Sequence, residues 1–395
     1  MVVNKRIGNA QSIYLDTNLQ IVFGVTLTAA IGIFSLSPAF PKIVKELQVS
    51  STDVGLLITV FTLPGVLLMP IMGILADVFG RKKVLVPSLM LFAIAGGACF
   101  FIRDFKMLLV LRFFQGIGVA PLSSLNVTVI GDLYSGKRRT AAMGYNQAVF
   151  SIGAASFAAI GGGLAMIGWY YPFLLPLVAI PIGLVVTFSL RSRSSKLTSA
   201  TEFMAYMGSV GSTIKEGKVI AIYAATIVIF IIVAGPYATY LPLLMGIRLD
   251  ASPLVIGVVM SSMYMGSALS SSQLGRIVRA FSEKAVIRVG FVLYAFTLVI
   301  IPSIPATWLF FIPVFLLGTA QGVSLPIIQT LLGGLSSSEN RAIIMSLYGT
   351  ALRLGQTLGP VLMGSVLAAS GISAVFYISA CLALAALGLV SKRIS

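Results

Sequence analysis

The stretch Gly73-Ile74-Leu75-Ala76-Asp77-Val78-Phe79-Gly80-Arg81-Lys82-Lys83 joins two long apolar runs, Val54–Ala76 and Val84–Ile102. Each run is long enough to cross the roughly 30 Å hydrocarbon core of a bilayer, which takes about 20 helical residues. The stretch contains two glycines, which permit close helix approach and a tight turn, and it ends in three consecutive cations. It is therefore predicted to be a short charged loop between two membrane helices.

The composition of the whole chain agrees with a membrane protein. Of 395 residues, 58% are hydrophobic and 10% are charged, and the mean hydropathy is +1.02. Soluble proteins are about 45–50% apolar and about 25% charged, so this composition excludes a soluble enzyme or a nucleic-acid-binding protein despite the net charge of +16. Because the chain has no His and only two Cys, Cys99 and Cys381, we predict no enzyme activity, no metal site, no cofactor and no disulfide framework.

Apolar runs of membrane-spanning length predict an all-α protein with twelve transmembrane helices. The predicted spans are Leu19–Phe40, Val54–Ala76, Val84–Ile102, Met107–Gly131, Thr140–Ile167, Tyr171–Leu190, Lys218–Met245, Leu254–Gly275, Val286–Ile304, Thr307–Gly333, Arg341–Ser370 and Ile372–Val390.

The positive charges in the loops predict the orientation. Of the 27 Lys and Arg residues, 20 fall in one set of loops and five in the alternate set. Since cytoplasmic loops carry the excess of Lys and Arg, both termini are predicted to be cytoplasmic. The long polar stretch 191–217 separates a predicted six-helix bundle at 1–190 from a second at 218–395. This linker is read either as a segment on the membrane surface or as plain disorder.

The two halves are related by an internal repeat. A shift of 202 residues places Gly116 on Gly318 and Arg139 on Arg341, and one offset holds across four consecutive spans. Parallel repeats of this kind imply a pseudo-two-fold axis along the membrane normal and a site between the halves near the midplane.

The stretch 73–83 resembles the signature loop of the major facilitator superfamily, and with the twelve spans and the repeat the resemblance covers essentially the whole chain. The sequence is most similar to the bacterial twelve-helix drug/proton antiporter branch. This resemblance implies the major facilitator fold of two pseudo-symmetric six-helix bundles. It also implies a latch that holds the outward-facing state against the eleventh helix, formed by Gly73, Asp77, Gly80, Arg81, Lys82 and Asp132. The alternative is that these loop charges serve topology alone.

A second resemblance lies in the fourth span, where Arg112, Gln115 and Gly116 match a family motif associated with proton-coupled members. An Arg in hydrocarbon costs about 2.5 kcal/mol or more unless it is paired, wetted or able to snorkel. Arg112 lies six residues from Lys106, about 9 Å at helical rise, so it could snorkel outward. The functional alternative is that Arg112 polarises a nearby proton carrier or binds an anionic group, and Gln115 and Arg353 complete the set of coupling and charge candidates.

Glycines in the fifth and eleventh spans predict bending. In the fifth span Phe157-Ala158 replaces the Gly-Pro of the antiporter pattern, whereas the eleventh span reads Gly359-Pro360. Because proline removes a helical hydrogen bond, the hinge is expected in the second half. The hinge candidates are Gly153, Gly161, Gly162, Gly355, Gly359 and Pro360.

Arg353 lies twelve residues, about 18 Å, beyond Arg341 and therefore close to mid-bilayer. It is expected to face the central cavity, or alternatively to bond carbonyls at the Gly-Pro bend. Further cavity candidates are Asn126, Asn146, Gln147, Tyr237, Tyr240, Tyr264, Gln321, Gln329 and Gln356.

No acidic residue is predicted deep in the membrane, although a buried carboxylate is the usual proton carrier because desolvation raises its pKa. Asp53 and Asp132, at helix ends, are the remaining carrier candidates, and each could equally be a simple helix-end charge.

Three functions are compatible with these features. The first, which the resemblance implies, is proton-coupled efflux of lipophilic or amphiphilic small molecules by alternating access, carried out by a monomer in the plasma or inner membrane. The second is a carrier for an organic anion or anionic amphiphile that uses Arg353 and Arg112. The third is a scaffold or sensor that has lost transport, against which the intact loop at 73–83 and the polar cavity residues argue.

Overall fold

A computed structural model describes residues 15–189, 217–335 and 341–393, and these residues form helices and turns with no strand among them. Residues 191–216 of the predicted linker lie outside the described residues.

The helices in chain order are α1 (Thr17–Leu47), α2 (Leu56–Phe79), α3 (Arg81–Phe101), α4 (Phe105–Leu133), α5 (Gly136–Ile167), α6 (Tyr171–Ser189), α7 (Gly217–Arg248), α8 (Pro253–Ala280), α9 (Glu283–Ser303), α10 (Phe311–Leu335), α11 (341–370) and α12 (372–393). The last two form one continuous stretch, Arg341–Arg393, which divides at Gly371, where φ is 80° and ψ is 173°.

Ten helical stretches in the described residues are long and apolar enough to cross a membrane. The stretch Asp53–Met69, which includes the first part of α2, is a shorter apolar helix, and the stretch Leu347–Arg393 contains most of α11 and all of α12. Together these make the twelve predicted spans. A helix satisfies its backbone hydrogen bonds within a single segment, which is why apolar runs in hydrocarbon become helices here.

Short polar residues and glycines set the helix ends. Asp104 accepts a hydrogen bond from the Met107 amide at the start of α4, and Ser252 accepts one from Val255 at the start of α8. Gly80, with φ of 97°, makes the tight turn between α2 and α3.

Consecutive helices joined by short turns alternate in direction, which gives the molecule two ends. One of them, which we call the Asp53 end, carries Asp53 and Asp104. The opposite face, the Asp132 end, carries Asp132.

The helices pack as two bundles with two interfaces between them. In the first bundle α4 packs against α2 and α3, and α1 packs against α5. In the second, α10 packs against α8 and α9, while α7 packs along the 341–393 stretch. Between the bundles, α2 contacts the 341–393 stretch and α5 contacts α8.

The 202-residue repeat reappears in these contacts. Inside the first bundle Gly116 lies against the carbonyl oxygen of Phe61, and inside the second Gly318 lies against that of Met263. Every residue of the second pair follows its counterpart in the first by 202 positions, so the two halves share one packing scheme.

The two interfaces between the bundles follow the same rule. Gly55 lies against Pro360 where α2 meets α11, and Gly257 lies against Ala158 where α8 meets α5. Here too the offset is 202 positions, so the two interfaces are related by the pseudo-two-fold axis.

The second half of α7 is irregular. Residues Val233–Tyr240 and Leu244–Arg248 form π-helical turns, and Pro236, which lacks an amide hydrogen, lies inside the first of them. By contrast, the predicted hinge at Gly359-Pro360 lies inside continuous α-helix, and the break in the 341–393 stretch is at Gly371.

Candidate functional site

Arg112 on α4 is buried inside the first bundle, with 1% of its surface exposed. Its Nε donates to the Leu57 carbonyl at 3.1 Å, its Nη1 to Gln115 Oε1 at 2.8 Å and its Nη2 to the Gly32 carbonyl at 2.9 Å. The guanidinium also lies 4.1 Å from the centre of the Phe61 ring. Arg112 thus joins α1, α2 and α4, and the snorkelling alternative is wrong because the side chain turns inward to these carbonyls.

A break in α1 makes the Gly32 carbonyl available. The amide of Leu36 donates to Ile33 instead of to Gly32, at the tight turn that leads into Pro38. In hydrocarbon a bypassed carbonyl needs another donor, which Arg112 supplies. Arg112 therefore stabilises an irregular stretch of α1.

A second polar cluster joins α1, α4 and α5 through uncharged groups. Asn126 Nδ2 donates to Thr26 Oγ1 at 2.8 Å, and Thr26 Oγ1 donates to Asn146 Oδ1 at 2.6 Å. Asn126 is 2% exposed and Thr26 5% exposed, whereas Asn146 is half-buried and Gln147 beside it is exposed. We call Asn126, Thr26 and Asn146 the amide cluster.

An aromatic group lies near the amide cluster and crosses between the bundles. Phe34 of α1 meets Tyr264 of α8 edge to face, with ring centres 5.0 Å apart, and it meets Phe150 of α5 at 6.2 Å. Phe150 is one helical turn from Asn146. The structure therefore brings the predicted residue Tyr264 close to the first bundle.

Arg353 lies at the interface between α11 and α2. Its Nη1 donates to Gln356 Oε1 at 3.2 Å, and its Cδ lies 3.2 Å from the position a Cβ would take on Gly65. Thr357 Oγ1 donates to the Arg353 carbonyl at 2.9 Å. Arg353 is 8% exposed and thus buried where the bundles meet.

The other predicted cavity residues are more scattered. The Tyr237 hydroxyl donates to the Met260 carbonyl and the Tyr240 hydroxyl to the Pro360 carbonyl, both at 2.8 Å. These two rings are at most 2% exposed, so they fill helix contacts in place of lining open space. Gln321 is buried on α10, and Gln329 is exposed and donates to the Tyr348 hydroxyl at 3.4 Å.

Hydrogen bonds also cross both interfaces between the bundles. Thr59 Oγ1 donates to the Thr357 carbonyl at 3.1 Å, and Ser261 Oγ donates to the Ala155 carbonyl at 2.6 Å. The two donors, Thr59 and Ser261, are 202 positions apart, and so are the two acceptors, Ala155 and Thr357. Each bundle therefore offers one hydroxyl to one carbonyl of the other, in equivalent places.

The predicted latch is described in part. Arg81 Nε donates to Asp132 Oδ2 at 3.2 Å, with Arg81 5% and Asp132 25% exposed, which joins the α2–α3 turn to the end of α4. Lys82 is half-buried on the first turn of α3. Gly73 is in α2, and the side chain of Asp77 lies outside the described part of the structure.

The hinge candidates lie at close helix contacts. An added Cβ would overlap the Ser35 carbonyl at Gly161, the Pro253 carbonyl at Gly162 and the Leu27 side chain at Gly153. In α11 the same substitution would place a Cβ 2.5 Å from the Ile227 carbonyl oxygen at Gly355 and 2.8 Å from that of Ile231 at Gly359. These glycines permit close packing, and a bending role for them stays a prediction.

The family model described as Major Facilitator Superfamily matches residues 22–250 and 222–393. The chain belongs to the major facilitator superfamily. It is accordingly a multi-pass membrane transporter and not an enzyme.

Several curated relatives of this superfamily member are exporters or drug-resistance proteins by name. The bacillibactin exporter of Bacillus subtilis is 32% identical over 163 residues, which is 40% of each chain, so that match spans two fifths of the relative's length. The class B tetracycline resistance protein of Escherichia coli is 25% identical over 366 residues, 89% of each chain. The superfamily member thus falls in a branch similar to drug-efflux transporters.

Solved structures agree on the fold. The nucleoside transporter NupG, in the form of a single-residue variant, superposes with a TM-score of 0.80 at 13% identity and covers 96% of this chain and 100% of that one. A bacterial homologue of the human lysosomal transporter Spinster, in an inward-facing and occupied conformation, gives a TM-score of 0.77 at 15% identity over 95% and 96%. Both superpose on this chain over nearly its whole length, which supports the major facilitator fold.

The acidic residues of this transporter lie at helix ends throughout the described ranges. Asp16 and Asp104 cap α1 and α4, Glu283 begins α9, and Asp132 is next to the last residue of α4. Asp53 accepts from Ser50 Oγ at 2.6 Å ahead of α2. Arg112 and Arg353 are therefore the charged groups that lie deepest in the described part of the bundle.

Two cavities lie away from these residues. One of about 380 Å³ is bordered by Gly217 and Ile220 of α7 and by Leu389 and Arg393 of α12. The other, of about 260 Å³, lies between α2 and α4 and has a purely apolar lining. Neither contains a predicted site residue.

Sequence reasoning missed Thr26, Phe34 and Phe150, which connect the predicted residues to one another. Thr59 and Ser261 were also missed, although the 202-residue offset carried a signal: both are hydroxyl residues at equivalent positions.

Proposed function

We propose that this transporter exports lipophilic or amphiphilic small molecules by alternating access, with protons as the coupling ion. The observation that carries the proposal is the symmetric pair of interfaces, α2 with α11 and α5 with α8, at which Gly55 and Gly257 pack against the opposite bundle. Two bundles that touch along equivalent surfaces can rock about a shared centre. The similarity to a tetracycline resistance protein, at 25% identity over 89% of each chain, supports the export of a lipophilic compound.

We further propose that the described conformation faces the cytoplasm. At the Asp53 end Gly162 packs on the Pro253 carbonyl, and Gly55 packs on Pro360. At the Asp132 end a Cβ added to Gly144 or Gly275 would have no neighbour within 4 Å among the described residues. The excess of Lys and Arg in the loops of the Asp132 end supports a cytoplasmic location for that end and for both termini.

In this proposal the latch acts in the opposite state. Arg81 is held by Asp132 within the first bundle, which ties the α2–α3 turn to the end of α4. When the Asp132 end closes, Asp77 and Lys82 would reach the second bundle and stabilise the outward-facing conformation. Residues 191–217 would serve as the linker between bundles, and the transporter would function as a monomer in the inner membrane.

Proton coupling would then depend on a carboxylate at a helix end. Asp132 is the better of the two candidates because its partner Arg81 ties its charge to the turn that moves in the conformational cycle. Asp53 is bonded to Ser50 within its own loop.

The test is transport into everted membrane vesicles from a host that lacks its own exporters. A panel of lipophilic dyes should be accumulated faster than in vesicles without the protein, and a protonophore should abolish the difference. Asp132→Asn should reduce the effect of the proton gradient while the protein remains folded. Transport that responds to a sodium gradient and ignores the protonophore would contradict proton coupling, and no accumulation of any dye would contradict export.

A carrier for organic anions is the second candidate, and the burial of Arg353 at the bundle interface favours it. Arg112 no longer supports this candidate directly, because its guanidinium already donates to three oxygens. If anions are carried, Arg353→Gln should abolish binding of an anionic fluorescent dye, whereas Arg353→Lys should retain part of it. Equal binding in wild type and Arg353→Gln would remove this candidate.

A further inference from the structure

The amide cluster contains a buried acceptor that the protein itself does not use. Thr26 donates its one hydroxyl proton to Asn146, so Asn126 must turn its Nδ2 toward Thr26. This leaves Asn126 Oδ1 buried with no hydrogen-bond donor among the described residues. An orphaned polar atom in hydrocarbon is costly, and such atoms in a native protein call for an explanation.

Asn146 is the most exposed member of the cluster. Asn146 is half-buried, and among the described hydrogen bonds only the one from Thr26 holds its side chain. Because Asn146 uses its Oδ1 to accept from Thr26, its Nδ2 remains as a donor on the half-buried side of the cluster. The pair then offers one acceptor and one donor, both uncharged.

Aromatic rings bound the same region. Phe150 is one turn from Asn146 on α5 and forms the edge-to-face group with Phe34 and Tyr264. Aromatic faces and edges suit flat ring systems. The group also includes α8, so a ligand here would touch both bundles, as a transported substrate must.

We propose that Asn126, Thr26 and Asn146 form a neutral subsite for a flat, lipophilic molecule with a hydroxyl next to a carbonyl on one edge. The ligand hydroxyl donates to Asn126 Oδ1 and the ligand carbonyl accepts from Asn146 Nδ2. Thr26 is a positioning residue that orients both amides. This inference rests on the proposed export function and specifies the substrate class of that site.

A pair of probes separates binding at this subsite from apolar binding elsewhere in the protein. Tetracycline is a flat molecule with hydroxyl groups beside carbonyls, whereas tetraphenylphosphonium is lipophilic but has no hydrogen-bonding group. In purified protein Asn126→Leu and Asn146→Leu should each weaken tetracycline binding roughly tenfold, as expected for one lost hydrogen bond, and should leave tetraphenylphosphonium binding within about twofold.

The control compares two threonines on α1. Thr26→Val should weaken tetracycline binding because it releases both amides. Thr28→Val should not, because the Thr28 hydroxyl donates only to the Gly24 carbonyl of its own helix. If Asn126→Leu fails to fold, the tetracycline affinities of Thr26→Val and Asn146→Leu test the subsite in its place.

The outcomes distinguish this inference from the proposed function. Unchanged tetracycline affinity in folded variants, or equal losses for both probes, would overturn the subsite. A wild-type protein that binds tetraphenylphosphonium but not tetracycline would also overturn it, while leaving export intact. A wild-type protein that binds neither probe would count against the export function and this inference together.

Discussion

The guanidinium of Arg112 is held by two backbone carbonyls and one amide oxygen within the hydrocarbon region. Placing an Arg at the centre of a membrane helix costs about 2.5–3.5 kcal/mol. A hydrogen bond to a charged group contributes about 1.5–3 kcal/mol, so three of them offset that cost. The charge is therefore compatible with a structural role, and what it stabilises is the junction of α1, α2 and α4.

Arg112→Lys tests that role because it keeps the charge and removes the fork of donors. The compact ammonium of Lys cannot reach three oxygens in this arrangement, so at least one buried carbonyl loses its donor. The free energy of unfolding should fall by about 1–3 kcal/mol, measured as thermal unfolding in detergent. Arg138→Lys, at an exposed position, should change it by less than about 0.5 kcal/mol. Equal stability of Arg112→Lys and wild type would disprove the structural role.

At the scale of helices, glycines that face a carbonyl of a neighbouring helix set the spacing. Gly116 and Gly318 occupy equivalent positions in α4 and α10, and a Cβ on either would overlap a carbonyl oxygen of α2 or α8. Gly116→Ala and Gly318→Ala should each lower stability by about 1–3 kcal/mol, because rigid backbone has to move.

Gly144→Ala is the matched control for these two substitutions. A Cβ there has no described neighbour within 4 Å, and replacing a helical glycine by alanine stabilises a helix by roughly 0.5–1 kcal/mol. The unfolding temperature should therefore fall for Gly116→Ala and Gly318→Ala and rise for Gly144→Ala. A loss confined to one of Gly116→Ala and Gly318→Ala would show that the halves are packed differently despite the repeat.

The hydroxyl bonds between bundles make a second prediction at this scale. Thr59→Val and Ser261→Ala each remove one bond across an interface at the Asp53 end. Such bonds contribute about 0.6 kcal/mol on average within membranes, so each substitution should shift the conformational equilibrium roughly threefold, and the effects should add. Hydrogen–deuterium exchange should be faster at the Asp53 ends of α2 and α8. Ser262→Ala, whose hydroxyl donates within its own helix, should not alter exchange.

The helices could be predicted because length and hydropathy alone decide what spans a bilayer. The sixth span, predicted at Tyr171–Leu190, is found at Tyr171–Ser189. The first was predicted to end at Phe40 and continues to Leu47. The residues after Pro38, Phe40–Leu47, are helical but amphipathic. The apolar run therefore ends before the helix does.

The candidate site was harder to predict because its partners come from other helices. Threonines in an apolar helix commonly bond to their own backbone, as Thr28 does. Nothing local distinguishes Thr26, whose partners are 100 and 120 residues away. The π-helical turns of α7 were not predicted either, although Pro236 and Pro242 in that apolar run mark a departure from regular helix.

At the scale of the whole molecule, the repeat restricts how the two bundles can move. Each bundle has strong internal contacts, such as the Arg112 junction, and fewer groups cross between the bundles. Gly55 and Pro360 lie on opposite bundles, and a Cβ on Gly55 would lie 3.1 Å from the Cβ of Pro360. If the bundles rock as rigid bodies, this distance has to increase when the Asp53 end opens.

A disulfide at that place should stop transport. In a background with Cys99 and Cys381 replaced by Ala, Gly55→Cys with Pro360→Cys should oxidise after a small separation of the two helices, because the Cβ atoms are 3.1 Å apart and a disulfide needs about 3.5–4.5 Å. Dye transport in everted vesicles should be abolished on oxidation and return on reduction, and each single variant should transport under both conditions.

A disulfide inside the first bundle shows whether loss of transport comes from blocked rocking or from cross-linking as such. A Cβ on Gly153 of α5 would lie 3.7 Å from the Cβ of Ala30 on α1, so Gly153→Cys with Ala30→Cys should also form. Because rigid-body motion leaves this distance unchanged, transport should persist in the oxidised form. If both disulfides abolish transport, the helices must move within a bundle, and if neither does, the Asp53 end need not open for the substrate to cross.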